Sequence, residues 1–208
     1  MNADLAVLPH DLLWGMPVSA LPANAPDWVF EAVRLEHPVV VRRSLAPRAL
    51  VAVGIRGPRR EQRFAALMPR DAIERCVRPE QLTHVQGAHD WPALQALDQI
   101  RPLMDLLALP WGVSGSAGFE LASGVAALHQ NSDLDLIVRT PRFVSREWAG
   151  ELVKVLDRSV CRIDVQLQTP FGALALREWA GASRQVLLKS EHGAWLVTQP
   201  WQPTEACA

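Results

Sequence analysis

The chain is poor in cysteine: Cys76, Cys161 and Cys207 are scattered, and none forms a CxxC pair. That excludes a disulfide framework and fits a reducing, cytoplasmic compartment. No stretch approaches the roughly 18 consecutive apolar residues of a membrane helix. The N-terminus carries Asp4 and His10-Asp11 instead of a basic run followed by an apolar core, so it does not read as a secretory signal. A formal net charge of −1 offers no global attraction to nucleic acid. Six histidines show no zinc spacing, since His84 and His89 stand five apart around Gly87 with no cysteine partner. Tyrosine is absent beside eight tryptophans, an imbalance from which no function follows. There is no internal repeat and no low-complexity tract.

What is present is a 208-residue chain, 49% hydrophobic, long enough for one large domain or two small ones. Residues 1–85 read as a first unit. Its short β-branched strands are Pro38 to Arg43 and Leu50 to Ile55. Pro58 is expected to open a helix from Arg59 to Met68, closed by Pro69, with Asp71 capping a further turn or helix through Val77. Residues 78–92, rich in Pro, Gly, His and Gln, read as a linker region. Residues 86–208 form the second unit. Here Asp90 is a candidate cap for a helix from Pro92 to Ile100, Pro102 interrupts it, and a second helical piece runs to Leu109. Pro110 to Ser114 reads as a strand and Ala117 to Leu121 as a short helix. Ser145 is expected to cap a helix to Leu156 that turns Trp148, Leu152 and Val155 inward. A helix around Ala173 to Ala180 and a strand-like Val186 to Lys189 close the chain. The interleaving is α+β.

The chemistry concentrates in Asn131-Ser132-Asp133-Leu134-Asp135-Leu136-Ile137-Val138. Successive strand residues alternate faces, so Asp133 and Asp135 project together while Leu134 and Leu136 anchor the other side. Such a pair suits Mg²⁺, which takes one or two carboxylates plus substrate phosphates. Gly115-Ser116 lies eighteen residues upstream and can bring backbone N–H groups close to a phosphate chain. A third acid, Asp164, shares the polar face of Ile163 to Gln168 with Gln166 and Gln168. If that strand pairs beside the first, three carboxylates converge, and their mutual repulsion calls for a cation. The pattern points to metal-assisted nucleotidyl transfer.

Further segments carry a resemblance. They are His10-Asp11-Leu12-Leu13-Trp14, Val40-Val41-Arg42-Arg43, Val53-Gly54-Ile55-Arg56-Gly57-Pro58-Arg59-Arg60-Glu61-Gln62-Arg63 and Pro79-Glu80-Gln81-Leu82, together with Gly115-Ser116, Glu120 and Ser132-Asp133-Leu134-Asp135-Leu136. With them the chain resembles the phosphoribosyl-dephospho-CoA transferases of the malonate decarboxylase system, also called malonate decarboxylase holo-acyl-carrier-protein synthases, within the nucleotidyltransferase superfamily. The arginine-rich segment narrows the likeness to this family, and the gap between Gly-Ser and DxD is longer than is usual in the wider superfamily. The resemblance implies a small N-terminal α/β domain for substrate or carrier recognition (1–85), then a nucleotidyltransferase-like catalytic domain with a mixed sheet flanked by helices (86–208).

It further implies transfer of the phosphoribosyl-dephospho-CoA group from 2'-(5''-triphosphoribosyl)-3'-dephospho-CoA to a serine of the apo acyl-carrier subunit, with loss of pyrophosphate. On that reading Asp133 and Asp135 bind Mg²⁺, and Asp164 is a third ligand or the base. Gly115 and Ser116 hold the β- and γ-phosphates, and Glu120 joins the site through a Gly-Ser-x-x-x-Glu match. Arg56, Arg59, Arg60 and Arg63 grip precursor phosphates or an acidic carrier, unless they are simply a solvated helix face. Lys189 could reach the triphosphate, and Trp111 or Trp179 could stack on adenine or belong to the core. His10 and Asp11 match the family or orient the N-terminal fold. Two other readings stand beside this one: a different Mg²⁺-dependent nucleotidyltransferase acting on a small molecule or protein, and a non-catalytic carrier-binding module. Neither nucleic acid nor membrane is an expected partner.

Overall fold

A computed structural model describes residues 6–59 and 61–203. Asp4, Arg60 and Cys207 lie outside the described residues. The chain divides into two compact units, Met1–Arg78 and Pro79–Ala208.

In the first unit the elements are β1 (Leu12–Trp14), α1 (Asp27–Arg34), β2 (Val39–Val41), β3 (Leu50–Arg56), β4 (Arg63–Pro69) and β5 (Arg75–Val77). They form an antiparallel sheet ordered β4-β3-β2-β1-β5. Val29, Ala32 and Val33 of α1 pack with Leu13, Val39, Val41, Val53, Ile55 and Met68 in one apolar cluster. Asp11 is fully buried ahead of β1, where Oδ2 accepts the Leu8 N–H at 2.8 Å. It therefore orients the entry to the sheet.

The helix expected from Arg59 to Met68 is a strand, and the turn or helix expected at Asp71 is a short turn. Residues 63–69 form β4, because Phe64, Ala66 and Met68 pack toward the core while Arg63, Ala65 and Leu67 face out, a period of two. Pro58 sits in the hairpin connection, which Gln62 ties by accepting the Arg59 N–H at 2.9 Å. Asp71 belongs to a 3₁₀ turn, Arg70–Ala72, and the chain then extends into β5.

The second unit comprises α2 (Pro92–Leu106), β6 (Trp111–Val113), α3 (Gly115–Ser123), β7 (Leu134–Arg139), α4 (Arg146–Leu156), β8 (Ile163–Thr169), β9 (Gly172–Ala175), α5 (Leu176–Ala180), β10 (Val186–Lys189) and β11 (Ala194–Val197). Its sheet runs β11-β10-β9-β8-β7-β6 and is antiparallel except where β8 lies parallel to β7. A parallel neighbour needs a crossover, which α4 supplies. The mixed sheet and its helices make the protein α+β, as expected.

Pro102 lies inside α2 without ending it. It removes the helical donor of the Asp98 carbonyl, and Asp98 and Pro102 both face solvent, which keeps the cost of that loss small. Trp91 occupies the N-cap position, and Asp90 instead accepts a side-chain hydrogen bond from Gln95 at 2.9 Å. Ser145 caps α4 by accepting the Trp148 N–H at 3.1 Å. The inward face of α4 is Ala149, Leu152 and Leu156, with Val155 exposed, so the apolar stripe is rotated from the expected one. Of the helix expected at 173–180, the first half is β9, pairing with β8, and only Leu176–Ala180 is helical. Among the described residues, no helix is long and apolar enough to cross a membrane.

Candidate active site

β7 begins immediately after Asp133, and its register with β8 aligns Asp135 with Asp164. Leu134, Leu136, Ile137 and Val138 are buried, which fixes the strand and leaves the acids no choice of face. One carboxylate oxygen from each of Asp133, Asp135 and Asp164 lies within 4.8 Å of the others, all three side chains being half-buried. Hard oxygen donors gathered this closely fit Mg²⁺, and without a cation their charges oppose one another.

β6 delivers Gly115 to the same place. The Ser114 N–H donates to the Asp135 carbonyl at 2.9 Å, then the chain turns into α3. Gly115 has φ +61°, and a Cβ there would collide with the Asp135 carboxylate. Only glycine meets both demands. Ser116, half-buried, is the second residue of α3, so the Gly-Ser pair sets the helix N-terminus, with its leading N–H groups and partial positive charge, against the acid cluster.

Glu120 reaches back from α3. Its Oε2 accepts the Ala127 and Leu128 N–H groups at 2.7 and 2.8 Å. Further along the same loop, Ser132 Oγ accepts the His129 N–H at 3.0 Å. These contacts order the segment that carries Asp133 into place.

Two arginines stand on the other side of the acids. Arg162 Nε donates to Asp164 Oδ1 at 3.0 Å. Arg177 Nε lies 3.9 Å from the same oxygen, and its Nη1 is 2.6 Å from Asp157. The hydrogen bond to Asp164, reinforced by that carboxylate's charge, holds the Arg162 guanidinium above its ordinary range. Cys161 sits alongside: burial pushes its thiol up, a backbone hydrogen bond at Leu134 opposes this, and the Asp133 charge adds to the rise. Sequence reading missed Arg162 and Arg177. Arg162 was within reach of it, since it stands two residues before Asp164 and strand alternation puts i and i+2 on one face. Arg177 comes from α5, and no spacing links it to the acids.

The remaining candidates are carried by other elements. Lys189 is exposed and aligns through Ala173 with Gln168, two strands over and four residues along from Asp164. At roughly 3.3 Å per residue that is about 13 Å up the sheet from the carboxylates. Arg56 and Arg63 are cross-strand partners in the first unit, and Arg59 is exposed in the hairpin between them. They therefore gather at one hairpin end, whereas a helix face was expected. Trp111 and Trp179 are both buried, with indole N–H groups donating to Asp105 at 3.0 Å and the Val144 carbonyl at 3.0 Å, so both belong to the core.

A mixed sheet gathers three carboxylates beside a helix N-terminus and two arginines, an arrangement suited to phosphate chemistry around a divalent cation. The two halves of the phosphoribosyl-dephospho-CoA transferase MdcG match in turn, the N-terminal domain over residues 8–79 and the C-terminal domain over residues 81–200. The chain belongs to that family. A phosphoribosyl-dephospho-CoA transferase of Pseudomonas syringae pv. tomato is 58% identical over 210 residues, covering 100% of both chains. One from Pseudomonas fluorescens is 58% identical over 201 residues, 97% of each chain. Another, from Azotobacter vinelandii, is 49% identical over 203 residues, 95% of this chain and 96% of its own. No solved structure matches.

Proposed function

We propose that the chain transfers the phosphoribosyl-dephospho-CoA group from 2'-(5''-triphosphoribosyl)-3'-dephospho-CoA to a serine of the apo acyl-carrier subunit of malonate decarboxylase, releasing pyrophosphate in the cytoplasm. The convergence of Asp133, Asp135 and Asp164 beside Gly115 carries the proposal. The carrier serine Oγ attacks the α-phosphorus, an O–P bond forms, and the bond from that phosphorus to the β-phosphate oxygen breaks. Asp133 and Asp135 hold Mg²⁺, with Asp164 as third ligand or as acceptor of the serine proton. When bound, the cation offsets charge on the attacking and leaving oxygens.

The start of α3 at Gly115-Ser116 receives the departing phosphates through backbone N–H groups. Glu120 acts through the loop it ties, keeping Asp133 in register. Residues 1–85 serve recognition, with Arg56, Arg59 and Arg63 as cations for the precursor or for an acidic carrier face, and residues 86–208 serve catalysis. The test is pyrophosphate release with wild-type apo carrier, set against a carrier whose acceptor serine is alanine. Release that needs both the serine and Mg²⁺ supports the proposal. Release without the serine moves the activity to another acceptor.

A further inference from the structure

Beside the acid cluster lies an open cavity of about 410 Å³, lined by Leu156, Asp157, Ser159, Cys161, Arg162 and Arg177. Its cations differ in how they are held. Arg177 is pinned from three directions: Nη1 is 2.6 Å from Asp157, Nη2 donates to the Ile163 carbonyl at 3.3 Å, and Nε lies 3.9 Å from Asp164. Arg162 is anchored through Nε to Asp164, while its side chain is 68% exposed and lines the cavity.

β7 lies between β6 and β8, so Gly115 approaches the acids from one flank and the two arginines from the other. The site therefore offers two anion-favouring seats with the carboxylates between them. The substrate in the proposed function, on which this inference rests, carries two separate polyphosphates. One is the reacting triphosphate on the ribose, and the other is the diphosphate that joins adenosine to pantetheine in the dephospho-CoA arm.

We propose that the Arg162–Arg177 cavity seats the diphosphate of the dephospho-CoA arm, with Arg162 as its direct contact and Arg177 as the fixed charge behind it. A guanidinium fork matches two phosphate oxygens, which a lysine ammonium does not. Leu156 and Cys161 give the cavity an apolar wall for the carbon atoms flanking the phosphates, and the volume falls within the range of small-molecule sites.

The experiment is calorimetric titration of dephospho-CoA and, separately, of inorganic pyrophosphate into the wild-type chain, Arg162→Ala and Arg162→Lys, all with Mg²⁺. Circular dichroism checks that each variant is folded, as the exposure of Arg162 leads one to expect. Arg162→Ala is expected to weaken dephospho-CoA about tenfold or more and to leave pyrophosphate within about twofold, with Arg162→Lys between wild type and alanine. Unchanged dephospho-CoA affinity in Arg162→Ala overturns the assignment while leaving the proposed function standing. Selective weakening of pyrophosphate also overturns it, since the leaving diphosphate would then occupy the cavity. Failure of the wild-type chain to bind dephospho-CoA overturns the assignment alone, since transfer from the full precursor tests the proposed function separately.

Discussion

Gly115 is pressed against the carboxylate of Asp135, at a backbone φ of +61° that side chains rarely adopt. Gly115→Ala therefore adds left-handed strain of about 1–2 kcal/mol and drives a methyl into the acid site. The expected result is a modest fall in Tm with a loss of transfer of about 100-fold or more. Thermal melts and initial rates on the same preparation separate the two effects.

Asp135 is also the register partner of Asp164, so the two charges lie on adjoining strands. In Asp135→Asn transfer is expected to vanish while the fold stays intact. The variant's melting temperature without divalent ions should equal or exceed that of wild type, because a repulsion has gone. Mg²⁺ should raise the wild-type Tm, by the equivalent of about 2.7 kcal/mol at 100 times its Kd, and leave the variant unmoved. Near-wild-type activity in Asp135→Asn contradicts the assignment.

Glu120 holds two loop N–H groups through a single carboxylate oxygen. Glu120→Ala strands both and should cost about 1–3 kcal/mol of stability, with a fall in kcat as Asp133 loses its register. Glu120→Gln keeps a carbonyl acceptor and should recover part of both. A Glu120→Ala variant with unchanged stability but weakened nucleotide binding would instead place the residue on the substrate.

Cys76, in the first unit, gives a pH signature of its own. Its thiol is raised from 9.0 to about 11, by burial first and then by the charge of Asp11, whose Oδ2 lies 3.8 Å from the sulfur. The folded chain thus keeps a proton that the unfolded chain releases, so this contribution is whole below about pH 9 and is lost as pH rises through about 11. Urea midpoints at pH 8 and pH 11 should fall more for wild type than for Cys76→Ala. Few other groups interfere, as the sequence has no tyrosine and its only lysines are Lys154 and Lys189.

Arg56 and Arg63 are register partners on β3 and β4, which places two arginines on one face of the hairpin. Arg56→Glu is expected to raise the apparent KM several-fold for one substrate only. A rise for the carrier makes the hairpin a docking surface, and a rise for the nucleotide makes it a phosphate grip. No change in either constant removes both roles.

The acid site was legible because its pattern is local. Alternation through Asp133-Leu134-Asp135 and Ile163-Asp164-Val165 names the inward and outward faces, and one parallel pairing joins them. Ser145 was readable as a cap for the same reason. The hairpin was not, because Pro58 before Arg59 imitates a helix start while the Phe64-Ala65-Ala66-Leu67-Met68 alternation is blunted by its alanines. Pro102 misled in the opposite sense, since the donor it removes faces solvent. The register that sends Lys189 up the sheet, and the path that brings Arg177 of α5 to Asp164, depend on tertiary structure alone.

Intact-mass spectrometry of the apo acyl-carrier subunit, after incubation with the chain, Mg²⁺ and triphosphoribosyl-dephospho-CoA, tests the proposed reaction most directly. The expected result is a mass gain equal to the precursor minus pyrophosphate, abolished by EDTA and absent with Asp135→Asn. An unchanged carrier mass with active, folded wild-type chain would contradict it.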